Sequence, residues 1–177
     1  YMSLAFAQFM YSHLDGLGRS DRRHRFLLNH IAIPLQQVLK HSKRNAYAAN
    51  GIGVLFAEKN MMSDARDAFA AAGCCLDATK ATRVNLAHST IALAKAAVRA
   101  QNENAGPGMR YTTANVANAR GLCEQAEKLY SDAAEEISRA DGGHEQNVFN
   151  ERVELDLYRA NAKYEIGAYR EAADLLE

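Results

Sequence analysis

Histidine and cysteine are the residues of this sequence best suited to metal chemistry, and their spacing does not favour it. The sequence has no H-E-x-x-H and no C-x-x-C motif, and its histidines do not pair at the intervals that metal ligands use. We therefore expect no metal site. The histidines are His13, His24, His30, His41, His88 and His144.

The three cysteines, Cys74, Cys75 and Cys123, are odd in number, and two of them are adjacent. Adjacent cysteines rarely form a disulfide without strain. We interpret all three as reduced thiols of a reducing compartment, packed as small apolar groups, with the adjacent pair at a packed helix end.

Nucleophilic and nucleotide-binding motifs are also missing. The sequence lacks a G-x-S-x-G serine elbow. The two G-x-G segments, Gly16 to Gly18 and Gly51 to Gly53, lack the third glycine and the preceding strand that a phosphate-binding loop needs. We therefore expect no catalytic residue, no bound cofactor and no enzymatic activity.

The densest local charge is basic, and two interpretations of it stay open. It is either a solvated helix start, or a contact for RNA or an acidic peptide. Interleaved aromatic residues, which would favour base stacking, are absent from the run. Arginines at a helix N-terminus oppose the helix dipole, and Asp21 is the candidate acid that offsets them. The cluster comprises Arg19, Arg22, Arg23, Arg25 and the intervening His24.

The composition of the 177-residue chain is that of an ordinary globular protein. Hydrophobic residues make up 48% and charged residues 24%, and the formal net charge is +0. This balance gives no overall attraction to nucleic acid or membranes. No apolar run is long enough to span a bilayer.

The elements that position these residues are predicted to be helices. Only two prolines occur, strand-like alternation is nearly absent, and alanine, leucine, glutamate, lysine and arginine fill the periodic segments. The segment QNENAGPG is the predicted loop. The sequence begins without methionine and ends within a helical pattern, so we expect a fragment of a longer chain. The predicted helices are Tyr1–Leu14, Asp21–Lys40, Asn45–Glu58, Ser63–Cys75, Lys80–Ala100, Tyr111–Ala140, Asn147–Glu165 and Ala168–Glu177.

Small and aromatic residues recur along the predicted helices at the intervals of a tetratricopeptide repeat, L-G-x-x-Y followed by A-x-x-x-F-x-x-A. The first copy is Ile52, Gly53, Phe56, Ala65, Phe69 and Ala72. The second is Leu86 and Ala87, followed after roughly twenty-five extra residues by Ala126, Tyr130 and Ala133. The third is Ala160, Gly167, Tyr169, Ala172 and Leu176.

This pattern explains why a helix holds glycine, which costs about 1 kcal/mol relative to alanine. Gly53 and Ala65 are predicted to be the close-contact points of two crossing helices, since small residues let the axes approach. Phe56 and Phe69 are predicted to fill the space beside them. Asn60 occupies the turn position where glycine is usual, and asparagine tolerates the left-handed conformation.

The predicted fold is an all-α tetratricopeptide-repeat solenoid, a right-handed superhelix of antiparallel helix pairs. Four pairs are expected over residues 1–40, 45–75, 80–140 with an insertion, and 147–177. A stacked array presents a concave face that can hold a peptide or helix. Repeat arithmetic assigns five residues to this face as candidate protein contacts, although His88 also fits a structural hydrogen-bonding role. They are Asn50, Val54, His88, Leu157 and Asn161.

Three segments resemble the Ctr9 family of tetratricopeptide scaffolds in the Paf1 transcription elongation complex. They are YAANGIG at Tyr47–Gly53, ARDAF at Ala65–Phe69 and VNLAH at Val84–His88. Arg83 and Val84 replace the aromatic residue that precedes NLAH in the family. The resemblance implies a non-enzymatic nuclear protein that holds Paf1-like and Cdc73-like subunits. Through them it would act on RNA polymerase II, chromatin and co-transcriptional histone modification.

Two other classes remain as alternatives. A generic repeat adaptor or co-chaperone would clamp an acidic C-terminal peptide with lysine and arginine. The corresponding positions here are Asn50, Val54, Glu154 and Tyr158, so the cations are missing, although Asn85 matches the middle position. An enzyme with a repeat domain would need a catalytic module outside this sequence.

Overall fold

The chain folds into α-helices in a computed structural model, which describes residues 2–14, 17–18, 21–104, 113–139, 145–165 and 167–176. No strand occurs within these ranges, so the all-helical prediction is confirmed. None of the described helices combines the length and the apolar character needed to cross a lipid bilayer. The helices are α1 (Met2–Ser12), α2 (Arg22–His41), α3 (Ala46–Glu58), α4 (Met62–Gly73), α5 (Lys80–Asn104), α6 (Thr113–Arg139), α7 (Glu145–Glu165) and α8 (Tyr169–Asp174).

Several predicted helix ends differ from the observed ones, including the start of α7 at Glu145 instead of Asn147 and the end of α4 at Gly73 instead of Cys75. Helix α1 ends at Ser12 instead of Leu14, and α8 ends at Asp174 instead of Glu177. Helix α5 continues to Asn104, so the first four residues of QNENAGPG are helical. Good helix formers such as Gln101 and Glu103 extend the helix until the sequence reaches glycine and proline. The remaining loop residues, 105–108, lie outside the described residues.

Polar side chains begin α2 and α3. The Asp21 carboxylate accepts a hydrogen bond from the backbone N–H of Arg23 at 2.7 Å, and the Asn45 side chain accepts one from that of Ala48 at 2.8 Å. The Asp77 carboxylate also accepts a hydrogen bond from the Ala46 N–H at 3.2 Å. These contacts satisfy backbone donors that a helix start otherwise leaves unpaired.

The chain forms two compact units, residues 1–82 and 83–177, and the boundary falls within α5. In the first unit, helices adjacent in sequence pack together: α1 with α2, α2 with α3, and α3 with α4. A buried cluster joins the first three of these helices. It comprises Ala7, Met10, Leu14, Leu28, Ile31, Leu35, Ala48 and Leu55.

The second unit has its own apolar core. Helix α6 packs on α7, and α7 on α8, while α5 contributes Ala87 and Ile91 to the shared core. A smaller cluster joins Ala94 to Ala119 and Cys123. The main core comprises Ala87, Ile91, Ala126, Tyr130, Ala133, Ile137, Leu155 and Ala162.

The turn between α3 and α4 has a left-handed residue. Asn60 has a φ of 60° and is, among the described residues, the non-glycine residue with a positive φ. The N–H of Asn60 donates to the carbonyl of Ala57 at 2.9 Å, and the N–H of Met61 donates to that of Phe56 at 2.9 Å. This pair of bonds closes the helix end around a left-handed residue. The predicted conformation of Asn60 is confirmed.

The turn between α7 and α8 repeats this arrangement. Gly167 has a φ of 82°. Its N–H donates to the carbonyl of Tyr164 at 3.0 Å, and the N–H of Ala168 donates to that of Lys163 at 3.0 Å. Each of these residues lies at the same offset from Ala160 as its counterpart lies from Gly53. Two distant segments therefore form the same helix–turn–helix.

Gly53 packs directly under an aromatic ring. A Cβ atom added at Gly53 would lie 2.4 Å from Cε1 of Phe69, far inside van der Waals contact. Phe69 is 3% exposed and Ala65 is fully buried, while Phe56 is half-buried. The small residue at position 53 thus makes room for the Phe69 ring, which was predicted to lie beside it, while the predicted close contact of Gly53 with Ala65 stays a prediction.

Most of the other residues assigned to repeat packing are buried or half-buried. Tyr169 differs, since it is 62% exposed and its ring contacts that of Tyr164, with centroids 5.1 Å apart. Helix α8 is short and buries one face through Ala172, which leaves Tyr169 on the surface. Gly167 is exposed and forms the turn. Buried are Ala72, Ala87, Ala126, Tyr130, Ala160 and Ala172, and half-buried are Ile52 and Leu86.

Candidate peptide-binding groove

A groove of about 800 Å³ lies in the first unit between α1 and α3, with α2 at its base. Both apolar and polar side chains line it, which is typical of sites that bind peptides or small ligands. The lining residues are Leu4, Ala7, Gln8, Tyr11 and Ser12 from α1, Tyr47, Asn50, Gly51, Val54 and Glu58 from α3, and Leu14, Leu17, His24 and Leu35.

One face of α3 forms a wall of the groove. Tyr47, Asn50, Val54 and Glu58 are spaced by three or four residues, so they lie in a row along the helix. The structure brings the predicted residues Asn50 and Val54 together in this row. Tyr47 and Glu58 were not predicted from the sequence, although extending the same helical period by one turn in each direction finds both.

Gly51 packs against α2, whereas Gly53 packs against α4. A Cβ added at Gly51 would lie 2.9 Å from Cδ1 of Leu35 on α2. The two glycines therefore let α3 approach two different helices, α2 through Gly51 and α4 through Gly53. Of these two contacts, only the one at Gly53 was predicted from the sequence.

Tyr11 links α1 to α3 within the groove. Its hydroxyl donates to the carbonyl oxygen of Gly51 at 2.7 Å. Burial raises the pKa of the Tyr11 hydroxyl well above its usual value, and the nearby Glu58 carboxylate raises it further. The hydroxyl stays protonated at neutral pH and acts as a hydrogen-bond donor.

His24 is buried at the inner end of the groove, which the sequence did not predict. It is 3% exposed, whereas the sequence placed it within the basic cluster on the surface. Its Nε2 lies 3.6 Å from a carboxylate oxygen of Glu58. Its Nδ1 is buried without a hydrogen-bond partner among the described residues. An unsatisfied buried polar atom typically costs about 1–3 kcal/mol of stability.

The groove has no cationic clamp. Among the described residues that line it, Glu58 is the carboxylate, and neither lysine nor arginine contributes. A peptide with a terminal carboxylate would therefore meet a like charge at one end and no paired cation.

The predicted contact His88 lies in the second unit, where its ring packs against two tyrosines. The ring centroids lie 5.6 Å from Tyr130 and 4.5 Å from Tyr158, both in edge-to-face geometry. Desolvation in this contact lowers the pKa of His88, and the charge of Glu154 opposes the shift. The residue keeps an exposed edge. It therefore serves a packing role in the second unit.

The remaining predicted contacts, Leu157 and Asn161, are exposed on α7 in the second unit. The structure thus distributes the five predicted residues over two units. Asn50 and Val54 share the groove, whereas a binding role for His88, Leu157 and Asn161 stays a prediction.

The basic cluster lies at the start of α2. Arg22, Arg23 and Arg25 are exposed, and Arg19 lies outside the described residues. Asp21, the acid predicted to offset the arginines, is the N-cap of the helix, and its carboxylate accepts a hydrogen bond from the backbone N–H of Arg23. The acid offsets the arginines at the positive end of the helix dipole.

The described part of the chain contains no cluster of three or more histidine, cysteine, aspartate or glutamate side chains suited to a metal. The three cysteines are free thiols. Cys123 is buried, but Cys74 is exposed, which contradicts the prediction of a packed helix end. Helix α4 ends at Gly73, so Cys74 lies in the following turn.

No protein-family model and no curated protein sequence matches this chain.

Proposed function

We propose that this chain is a tetratricopeptide-repeat scaffold without catalytic activity, whose stacked helix pairs hold other proteins. The observation that carries the proposal is the repeated helix–turn–helix at Asn60 and Gly167, with the same backbone hydrogen bonds at the same offsets. A small residue, Gly53 or Ala160, precedes each turn by seven positions. Recurrence of one supersecondary unit is the basis of repeat architectures.

The same proposal extends to a Ctr9-like subunit of a Paf1-type elongation complex. It rests on the segment Tyr47–Gly53, whose residues have distinct tasks in α3. Tyr47 and Asn50 line the groove, while Gly51 and Gly53 admit the neighbouring helices. In this role the chain would act in the nucleus. It would hold Paf1-like and Cdc73-like subunits and thereby support RNA polymerase II elongation and histone modification.

The second candidate is a generic adaptor or co-chaperone that grips a peptide in the groove. The electrostatics disfavour its acidic-peptide form, because Glu58 lines the groove and no described lysine or arginine does. An adaptor for an uncharged or basic segment is compatible with the same geometry.

The test is affinity purification of the tagged chain from nuclear extract, followed by mass spectrometry. We expect elongation factors associated with RNA polymerase II. Val54→Lys, which puts a charge into the groove, should reduce their recovery about tenfold or more, the effect of losing roughly 1.4 kcal/mol of binding. Ala71→Lys is the matched control, since it adds the same charge to an exposed position on α4.

Recovery of chaperones in place of elongation factors would favour the adaptor. Equal loss of binding in both lysine variants would show that added charge, and not the groove, is responsible. A helical circular dichroism spectrum that matches the parent chain is required of each variant before its binding is interpreted.

A further inference from the structure

Helices α1 and α2 expose large apolar side chains on one surface, here called the outer face. It consists of Met2, Phe6, Phe9, Phe26 and Ile33, which are between 53% and 87% exposed. Single exposed apolar residues are common, but a contiguous set of this size marks an interaction surface in most soluble proteins. None of the five lines the groove.

The outer face contains two depressions along the seam between α1 and α2. One has a volume of about 640 Å³ and is lined by Phe6 and Ile33. The other has a volume of about 430 Å³ and is lined by Phe9 and Phe26. Met10 lines both, so the two depressions adjoin each other.

The spacing of the depressions fits the side chains of a helix. Met2 and Phe9, one at each depression, are seven residues apart on α1, which is about 10 Å along the helix axis. A helix laid in the seam would place residues i and i+7 in the two depressions, as amphipathic helices do in apolar grooves. Methionine at the junction adapts to varied side chains.

The ionised residues within α1 and α2 have one sign. Helix α1 has no ionised residue, and α2 has three arginines and a lysine but no aspartate or glutamate. Arg23 lines the second depression. A partner that covers this face would be attracted by carboxylates beside its apolar stripe.

Each helix also presents a phenylalanine–histidine pair at this face. The rings of Phe9 and His13 have centroids 4.4 Å apart, and those of Phe26 and His30 are 3.9 Å apart. In both pairs the histidine Nδ1 donates to the carbonyl four residues earlier, at 2.8 Å. This bond leaves Nε2 of the neutral ring as the acceptor for a partner.

We propose that the outer face binds an amphipathic α-helix of a partner protein, with apolar residues at i, i+4 and i+7 and acidic residues beside them. The proposal goes beyond the groove and does not depend on it. A protein helix is favoured over RNA because the depressions are concave and lined by methionine, leucine and isoleucine. In addition, the two phenylalanine rings already contact the chain's own histidines.

The experiment measures binding of a fluorescent, helix-stabilised peptide to the 177-residue chain by anisotropy. The peptide has leucine at i, i+4 and i+7 and glutamate on both flanks. We expect saturable binding that weakens about tenfold or more in Ile33→Ser and in Phe9→Ser. Leu76→Ser, which alters a fully exposed leucine elsewhere, is the matched control and should bind like the parent chain.

A second peptide, with lysine in place of each glutamate, tests the charge. It should bind about tenfold more weakly, and Arg23→Glu should narrow that difference. Equal binding of the two peptides, tighter binding of a single-stranded RNA oligonucleotide, or a dimer in solution that Ile33→Ser dissociates would each overturn the proposal. The last result would identify a second copy of this chain as the occupant.

Discussion

At the scale of single residues, the packing of the first unit depends on two glycines, Gly51 and Gly53, which have no side chain. Helix α3 has neighbours on two sides, and at each contact a glycine gives up helix propensity so that a larger side chain can fit. Leu35 fills the space at Gly51, and the Phe69 ring fills the space at Gly53. The cost of the glycines is offset by the burial of Phe69 and Leu35, each worth about 1.5–3 kcal/mol.

Gly53→Ala should destabilise the first unit even though alanine is the better helix former. The new methyl group would lie 2.4 Å from the Phe69 ring, and overpacking of this kind costs about 1–3 kcal/mol. Urea denaturation followed by circular dichroism measures the change. Gly121→Ala is the control, since a Cβ there meets nothing within 4 Å, and it should stabilise α6 by about 0.5–1 kcal/mol.

Relief of the overpacking provides a further check on this interpretation. Adding Phe69→Leu to Gly53→Ala should cost less than the sum of the two single changes, because the smaller leucine makes room for the new methyl group, and that methyl group fills part of the cavity that the leucine leaves. Strict additivity, or a stabilising Gly53→Ala, would contradict the contact.

At the scale of elements, the turns between helices restrict which residue types can occur, just as the helices do. Asn60 and Gly167 hold the left-handed conformation at equivalent positions, and both turns have the same two hydrogen bonds. Because Cβ crowds the backbone in this conformation, the two positions tolerate few residue types.

Asn60→Ala should therefore destabilise the α3–α4 pair by about 1 kcal/mol, whereas Asn60→Gly should be neutral or slightly stabilising. Thermal denaturation of both variants beside the parent chain measures the difference. Alanine and glycine variants of equal stability would show that the conformation at position 60 contributes nothing.

The helices themselves were largely predictable from the sequence, because their periodicity and breakers are local properties. Asn45 and Asp21 predicted helix starts, and Asn60 predicted a turn. The contact of Gly51 with Leu35 was not predictable, since it depends on how α2 lies across α3. For the same reason the burial of His24 was missed, because in the sequence it lies among arginines that are exposed.

At the scale of the whole molecule, a formal charge of +0 conceals an asymmetry. Residues 1–82 contain ten basic and six acidic side chains, whereas residues 83–177 contain eleven and fifteen. The zero net charge, from which no attraction to charged partners was expected, therefore applies to the whole chain and not to either unit. Local charge, not the sum, governs the approach of a partner.

The chain should consequently bind to both cation- and anion-exchange media at pH 7 and low salt, despite its zero net charge. Replacing Arg22 and Arg25 by glutamate should abolish retention on the cation exchanger and strengthen it on the anion exchanger. Elution in the flow-through of both media by the parent chain would contradict the asymmetry.

The candidate groove shows where sequence reasoning stops at this scale. Asn50 and Val54 could be assigned from the repeat period alone, because both lie on one helix. Gln8 and Tyr11 belong to α1, which has no recognisable repeat positions, and only the tertiary structure brings them to the groove beside α3.

The three thiols differ in accessibility between the two units, and this difference makes them natural chemical probes. Cys74 is exposed in the first unit, whereas Cys123 is buried in the second, where burial also raises its pKa. An alkylating reagent should modify Cys74 in the native protein and reach Cys123 only when the second unit opens. The lag between the two modifications, resolved by mass spectrometry, would time the opening of one half of the chain while the other half serves as the internal reference.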